Sequence, residues 1–182
     1  MRKKSIDIKY EELDQYDWFD EEIMDQKEDQ YAPLIGSFLM WFSNLEYCLD
    51  VAIANLINDS FHERGYVIIK DLSVRAKIDL FKSLAHPMVF YSNKKKKLKI
   101  KQLNSITIKL RNMSELRNKI SHAKWYSLDK DGYVRCDIKT DKDNGLVKFK
   151  KYKITPSIIK RNMRAMEKLC EQIDTFTENI WN

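Results

Sequence analysis

The chain is poor in the residues that punctuate or cross-link a fold, with three cysteines, four glycines and three prolines in 182 residues. Cys48, Cys136 and Cys170 are odd in number, far apart and without a CxxC pair, which argues against a disulfide framework and against a zinc site. Cys48 and Cys170 fall at helix-periodic apolar positions and read as small core residues. So little glycine and proline leaves few turns and favours helices. No uninterrupted apolar run approaches the roughly 18 residues that span a bilayer, so no membrane partner is expected. The basic start, Met1-Arg2-Lys3-Lys4, runs into acidic sequence and not into an apolar segment. A secretion signal is therefore not expected, and the default compartment is the cytoplasm. Neither an HExxH pattern nor a close histidine pair is present, and His62 and His86 read as surface or capping residues, so no metal is expected. A P-loop, a GxGxxG run and internal repeats are also missing, so no nucleotide cofactor is expected.

What is present is charge, unevenly spread. The net +6 hides ten acids against Lys27 alone between Glu11 and Gln30, and four bases against Asp7 in the first ten residues. Residues 31 to 182 therefore carry about +12, a field that attracts polyanions. The acidic stretch also holds Tyr10, Leu13, Tyr16, Trp18, Phe19, Ile23 and Met24, too aromatic for a solvated tail. Residues 1–30 read as an acidic N-terminal arm or amphipathic helix, packed on the body or covering a basic groove.

Apolar periodicity supplies the rest of the organisation. Leu34, Phe38, Trp41, Phe42, Leu45, Leu49, Ile53 and Leu56 recur every three or four residues and predict a long buried helix over 33–59, with Pro33 in its first turn. Glu46 and Asp50 lie one turn apart on its more polar side, as surface acids or as a pair able to take a metal or orient an arginine. Residues 60–71 break the pattern, with Tyr66 to Ile69 read as extended. A short helix follows over 73–85, ended by Pro87. Ser92 and Asn93 cap a third helix reaching His122, cored by Leu103, Ile106, Leu110 and Ile120. Tyr133 to Thr140 and Leu146 to Ile154, separated by Asp-Asn-Gly turn chemistry, read as a β-hairpin, or as a three-stranded meander if Trp125 to Leu128 pairs too. Thr155-Pro156 opens a last helix to Trp181. The fold class is mainly α: an up-and-down bundle of four to five helices over 31–182, with a small hairpin or meander at about 125–154 inserted before the last helix.

The stretch most suggestive of chemistry is Arg117-Asn118-Lys119-Ile120-Ser121-His122. A permanent guanidinium, a side chain titrating near neutrality and an amide lie together where a helix ends. Five residues put Arg117 and His122 about 140° apart around the helix, so they do not share a face within one chain. Both also have a purely structural explanation, since cations suit the negative end of the helix dipole and cap its free carbonyls. At the opposite end of the same helix Lys94, Lys95, Lys96 and Lys97 oppose the dipole, so they read either as a solvated face or as polyanion contacts.

The motif and the helix order, including Phe42-Ser43-Asn44-Leu45-Glu46 on the first long helix, resemble the HEPN superfamily. These are helical-bundle proteins with an RNxxxH motif, many of them metal-independent RNases of toxin–antitoxin, abortive-infection and CRISPR systems. The resemblance implies a homodimer whose facing motifs form a shared cleft, with Arg117, Asn118 and His122 as catalytic residues. RNA would be the substrate, and an antitoxin or regulator a further partner. Lys119 and Lys124 flank the histidine and, with the four lysines above, are the expected RNA contacts. Members modified by a nucleotidyltransferase antitoxin carry tyrosine two residues after the histidine. Lys124 stands there instead, which departs from that mode of regulation. Two other function classes stay open: a non-catalytic HEPN-like RNA- or protein-binding module, and a structural helical adaptor using the acidic arm.

Overall fold

The computed structural model of the chain describes residues 4–12, 21–57, 63–91, 96–140 and 145–180. Among these, five helices dominate: α1 (Glu21–Leu56), α2 (Glu63–Ile69), α3 (Val74–Tyr91), α4 (Lys96–His122) and α5 (Pro156–Glu178). Three strands complete the chain, β1 (Ser5–Lys9), β2 (Tyr133–Thr140) and β3 (Val147–Lys153). The fold is mainly α, with the small sheet completed just before the last helix, as the periodicity predicts. Among the described residues no helix is long and apolar enough to cross a membrane.

The chain divides into two compact units, Met1–Phe38 with Arg117–Arg161 and Leu39–Leu116 with Asn162–Asn182. The second is a helical bundle. Phe42, Leu45, Leu49 and Ile53 of α1, Ile78 and Phe81 of α3, Leu103, Ile106 and Leu110 of α4, and Met166, Leu169 and Ile173 of α5 are all buried. Each such side chain contributes about 1.5–3 kcal/mol on leaving water, so this stripe is the main source of stability here. Phe81 meets Phe176 edge-on at 6.2 Å, and truncating either would open a cavity in the middle of the bundle.

Three helix boundaries differ from the periodic expectation. The first helix begins at Glu21, so Pro33 lies well inside it. Pro87 does not end α3, which continues to Tyr91. A proline inside a helix forfeits one hydrogen bond, but Ala85 and Val89 on either side of Pro87 are fully buried, and that packing outweighs the local loss. Tyr66 to Ile69 are helical and not extended, because α2 approaches α1 so closely that a Cβ on Gly65 would lie 2.7 Å from Ala54 Cβ. Only glycine permits that approach, and it lets Ile69 bury.

The other unit holds the sheet, in order β1-β3-β2 and antiparallel throughout. Its third strand comes from the N-terminus and not from residues 125–128, where Trp125–Ser127 form a 3-10 turn and Lys124 makes an isolated bridge to Arg135. Ile6 and Ile8 alternate with Asp7 and Lys9, and Ile8 is buried against the sheet. The strand is only five residues long and surrounded by charge, which concealed it. Between the motif and β2, Asp129 Oδ1 accepts the N–H groups of Asp131 and Tyr133 at 3.0 and 2.9 Å, and Gly132 adopts φ 83°. That backbone conformation is the reason for glycine at this turn. Thr155 Oγ1 accepts the Ile158 N–H at 3.4 Å, the expected cap of α5.

Candidate functional site

Helix α4 presents the sequence motif on its last turns. Ile120, the apolar member, is buried with 1% exposure, and it orients its neighbours. Arg117 is half-buried and Asn118 exposed, and Arg117 Nη1 donates to Asn118 Oδ1 at 3.1 Å. His122 stands exposed at the helix end. Trp125 Nε1 donates to the Ile120 carbonyl at 3.0 Å. This satisfies one of the carbonyls that every helix leaves unpaired at its C-terminus.

The chain past the motif is pinned and does not trail off. Lys124 N–H donates to the Arg135 carbonyl at 2.7 Å, and Arg135 N–H to Ser127 Oγ at 2.8 Å. The histidine therefore sits between a helix and a segment fastened to β2. Lys124 itself is exposed, so its ammonium faces solvent three residues before the buried Ser127.

Lys119 turns from the motif toward the sheet, its Nζ 4.3 Å from the centre of the Tyr152 ring. A second ammonium, Lys150, lies 5.3 Å from the same ring. Contacts of this kind contribute about 0.5–1 kcal/mol at partly exposed sites. The Tyr152 hydroxyl is pushed up to about 12, first by burial and then by its hydrogen bond to Asp137 and the negative charges of Asp137 and Asp7. It stays neutral across the physiological range. Burial, reinforced by the charge of Asp137 and opposed by Lys119, likewise pushes the Cys136 thiol up to about 12, so this cysteine is a poor nucleophile.

Tyr152, Lys150 and Asp137 were not singled out by the sequence. The register pairs Asp7 and Asp137 with Lys150, and Lys9 and Lys139 with Lys148, so one sheet face carries a graded row of charge. Strand alternation was legible, but its alignment on the N-terminal strand was not.

Of the other lysines expected to contact RNA, two are described on α4. Lys96 and Lys97 occupy the first turn of α4, the end opposite the motif. Lys96 Nζ lies 3.3 Å over the Phe90 ring, and Lys97 is exposed. Lys94 and Lys95 lie outside the described residues.

The carboxylate pair on α1 has a structural role. Lys77 of α3, only 6% exposed, reaches Glu46 Oε1 and Asp50 Oδ2 at 2.8 Å each. Burial opposes charge on Lys77, but the two carboxylates prevail and hold the amine above its ordinary value. Two acids share one ammonium, and the excess falls on Asp50, whose buried Oδ1 has no hydrogen-bond partner among the described residues. Burial raises the Asp50 carboxyl despite the Lys77 contact. The pair orients a lysine, in place of the arginine or metal that its spacing allowed.

Compared with protein-family models, with curated proteins and with solved structures, the chain finds no match in any of the three.

Proposed function

We propose that the chain is a HEPN-like, metal-independent endoribonuclease acting in the cytoplasm as the toxic arm of a toxin–antitoxin or antiviral defence system. The observation that carries this is the end of α4: His122 is exposed at a helix terminus, one turn beyond an Arg117 already hydrogen-bonded to Asn118. The net positive charge of the chain and the exposed Lys124 beside the motif suit a polyanionic substrate. Two copies with facing motifs would bring four functional side chains into one cleft, which answers the 140° divergence of Arg117 and His122 within a single helix.

The chemistry is attack by the ribose 2′-hydroxyl on the adjacent phosphorus. One His122 imidazole takes the hydroxyl proton while the 2′-oxygen–phosphorus bond forms. A second, protonated His122 gives its proton to the 5′-oxygen as the phosphorus–5′-oxygen bond breaks. The products carry 2′,3′-cyclic phosphate and 5′-hydroxyl ends. Arg117 holds the phosphate and stabilises the charge gathering on its non-bridging oxygens. Asn118 fixes the guanidinium plane. Because the nucleophile belongs to the substrate, the mechanism requires no cofactor.

The test is incubation of total RNA and tRNA in EDTA with the wild type, His122→Ala and Arg117→Ala, followed by mapping of the ends. Cleavage by the wild type alone, with cyclic phosphate termini, supports the assignment. Retained cleavage by both variants overturns it. Salt-dependent RNA binding without cleavage by any of the three identifies a non-catalytic binding module instead.

A further inference from the structure

Beside the motif, the first helix and the segment after His122 enclose an open cavity of about 200 Å³. Tyr31, Ile35, Trp125 and Leu128 give it apolar walls, and Lys27 and Glu28 stand on its lining as a cation and an anion side by side. The aromatic wall is held firmly. Tyr31 and Trp125 contact each other at 5.5 Å between ring centres, and the indole N–H is anchored on the Ile120 carbonyl. Tyr126, also on the lining, is 78% exposed. Lys27 Nζ donates to the Leu128 carbonyl at 3.1 Å, which holds the amine at the cavity. Burial lowers its affinity for a proton, with Asp129 acting in the opposite sense. Tyr31 is pushed up to about 12, chiefly by burial, and remains a neutral hydroxyl.

These features suit one kind of occupant. Drug-sized ligands need about 300–1,000 Å³, so the cavity fits a single planar ring system. Aromatic side chains at a protein surface recognise unstacked bases by stacking, worth about 1–3 kcal/mol per base. The basic motif next to the cavity matches the phosphates to which such a base is attached. Trp125 is three residues past His122, so the two Cα atoms lie within roughly 11 Å of each other. That span suits a nucleotide adjoining a phosphate held at the motif.

We infer that this cavity is a nucleobase subsite, in which the base next to the scissile phosphate stacks on the Trp125 and Tyr126 side while Glu28 and Lys27 read its edge. Its link to cleavage rests on the ribonuclease reading above, but its ability to bind a base does not. A carboxylate accepts two N–H groups and an ammonium donates to a carbonyl. Among the four bases, guanine offers that set on one edge, with N1–H and the 2-amino group for Glu28 and O6 for Lys27.

The experiment titrates the 182-residue chain with guanosine, adenosine, cytidine and uridine 3′-monophosphates and with inorganic phosphate. The indole N–H resonance of Trp125, assigned by its loss in Trp125→Phe, is followed by NMR. Guanosine monophosphate is expected to shift it saturably, the uridine nucleotide only at ten-fold or higher concentration, and inorganic phosphate not at all. Ala32→Trp places a ring into the cavity from an exposed helix position and is expected to weaken the guanosine nucleotide at least ten-fold. No indole shift with any nucleotide, an equal shift with inorganic phosphate, or unchanged binding in a folded Ala32→Trp chain overturns the subsite. If the wild type cleaves RNA in EDTA while the indole stays silent, the subsite fails and the ribonuclease stands. An indole shift without cleavage leaves the subsite standing and removes the ribonuclease.

Discussion

Two pairs of ionisable side chains lie about a turn apart on helices of this chain, Glu46 with Asp50 on α1 and Arg117 with His122 on α4, and their surroundings differ. The acids lie in the helical bundle and converge on a buried Lys77 at 2.8 Å. At the end of α4, Arg117 is half-buried beside an exposed amide and His122 is left in solvent. The spacing separates them only in part: four residues keep Glu46 and Asp50 on one side of a helix, whereas five put Arg117 and His122 about 140° apart. What separates them is their surroundings: the acids share a buried ammonium brought by α3 and become part of the architecture, whereas Asn118 and His122 stand exposed where α4 ends.

This contrast can be broken from either side. The largest expected effect is on activity: His122→Ala should reduce RNA cleavage by about 10²- to 10⁴-fold, the usual contribution of general acid–base catalysis. Its melting temperature should not move, because the side chain is exposed. Initial rates and a thermal melt on one preparation check both halves. Next comes Lys77→Met, which strands two partly buried carboxylates and should cost about 3–5 kcal/mol in chemical denaturation. Cleavage below the melting range should survive it. Replacing Lys77, Glu46 and Asp50 together by apolar residues of similar volume should recover most of that loss, and failure to recover would show that the cluster does more than balance charge.

A smaller effect is expected of Trp125→Phe, which removes the donor that satisfies the Ile120 carbonyl. A loss of about 1 kcal/mol, readable by denaturant unfolding, is in line with one hydrogen bond at a helix end. The gentlest test uses pH. Because burial raises Asp50 above its ordinary 3.8, the folded chain keeps a proton that the unfolded chain has released just above that pH. Linkage then makes the contribution full below the window and lost as pH rises through the folded value. The melting temperature of the wild type should therefore decline across this window by more than that of Asp50→Asn. Parallel profiles would remove the strain assigned to Asp50.

The unequal legibility of the two pairs runs through the whole chain. The long apolar stripes of α1, α4 and α5 were plain, because a 3.6-residue period survives any surrounding charge. The hairpin at 133–153 was equally plain from its alternation and its turn residues. Local rules misled where packing overrode them, at Pro33, at Pro87 and at the β-branched run of α2. The motif on α4 was readable as a motif, whereas Tyr152, Lys150 and the Trp125 cavity were not. They depend on a register with a strand more than 140 positions away and on a contact with α1.

By itself the sequence determined the helical class, the hairpin, the uneven charge and the place of Arg117, Asn118 and His122 at a helix end, since each depends on neighbours within a few residues. Only the tertiary structure decided that Glu46 and Asp50 hold a lysine, that Ser5–Lys9 completes the sheet, and that Tyr31 meets Trp125. Those outcomes depend on which distant surface excludes water from a given side chain, and periodicity along one element carries no record of the element that will cover it.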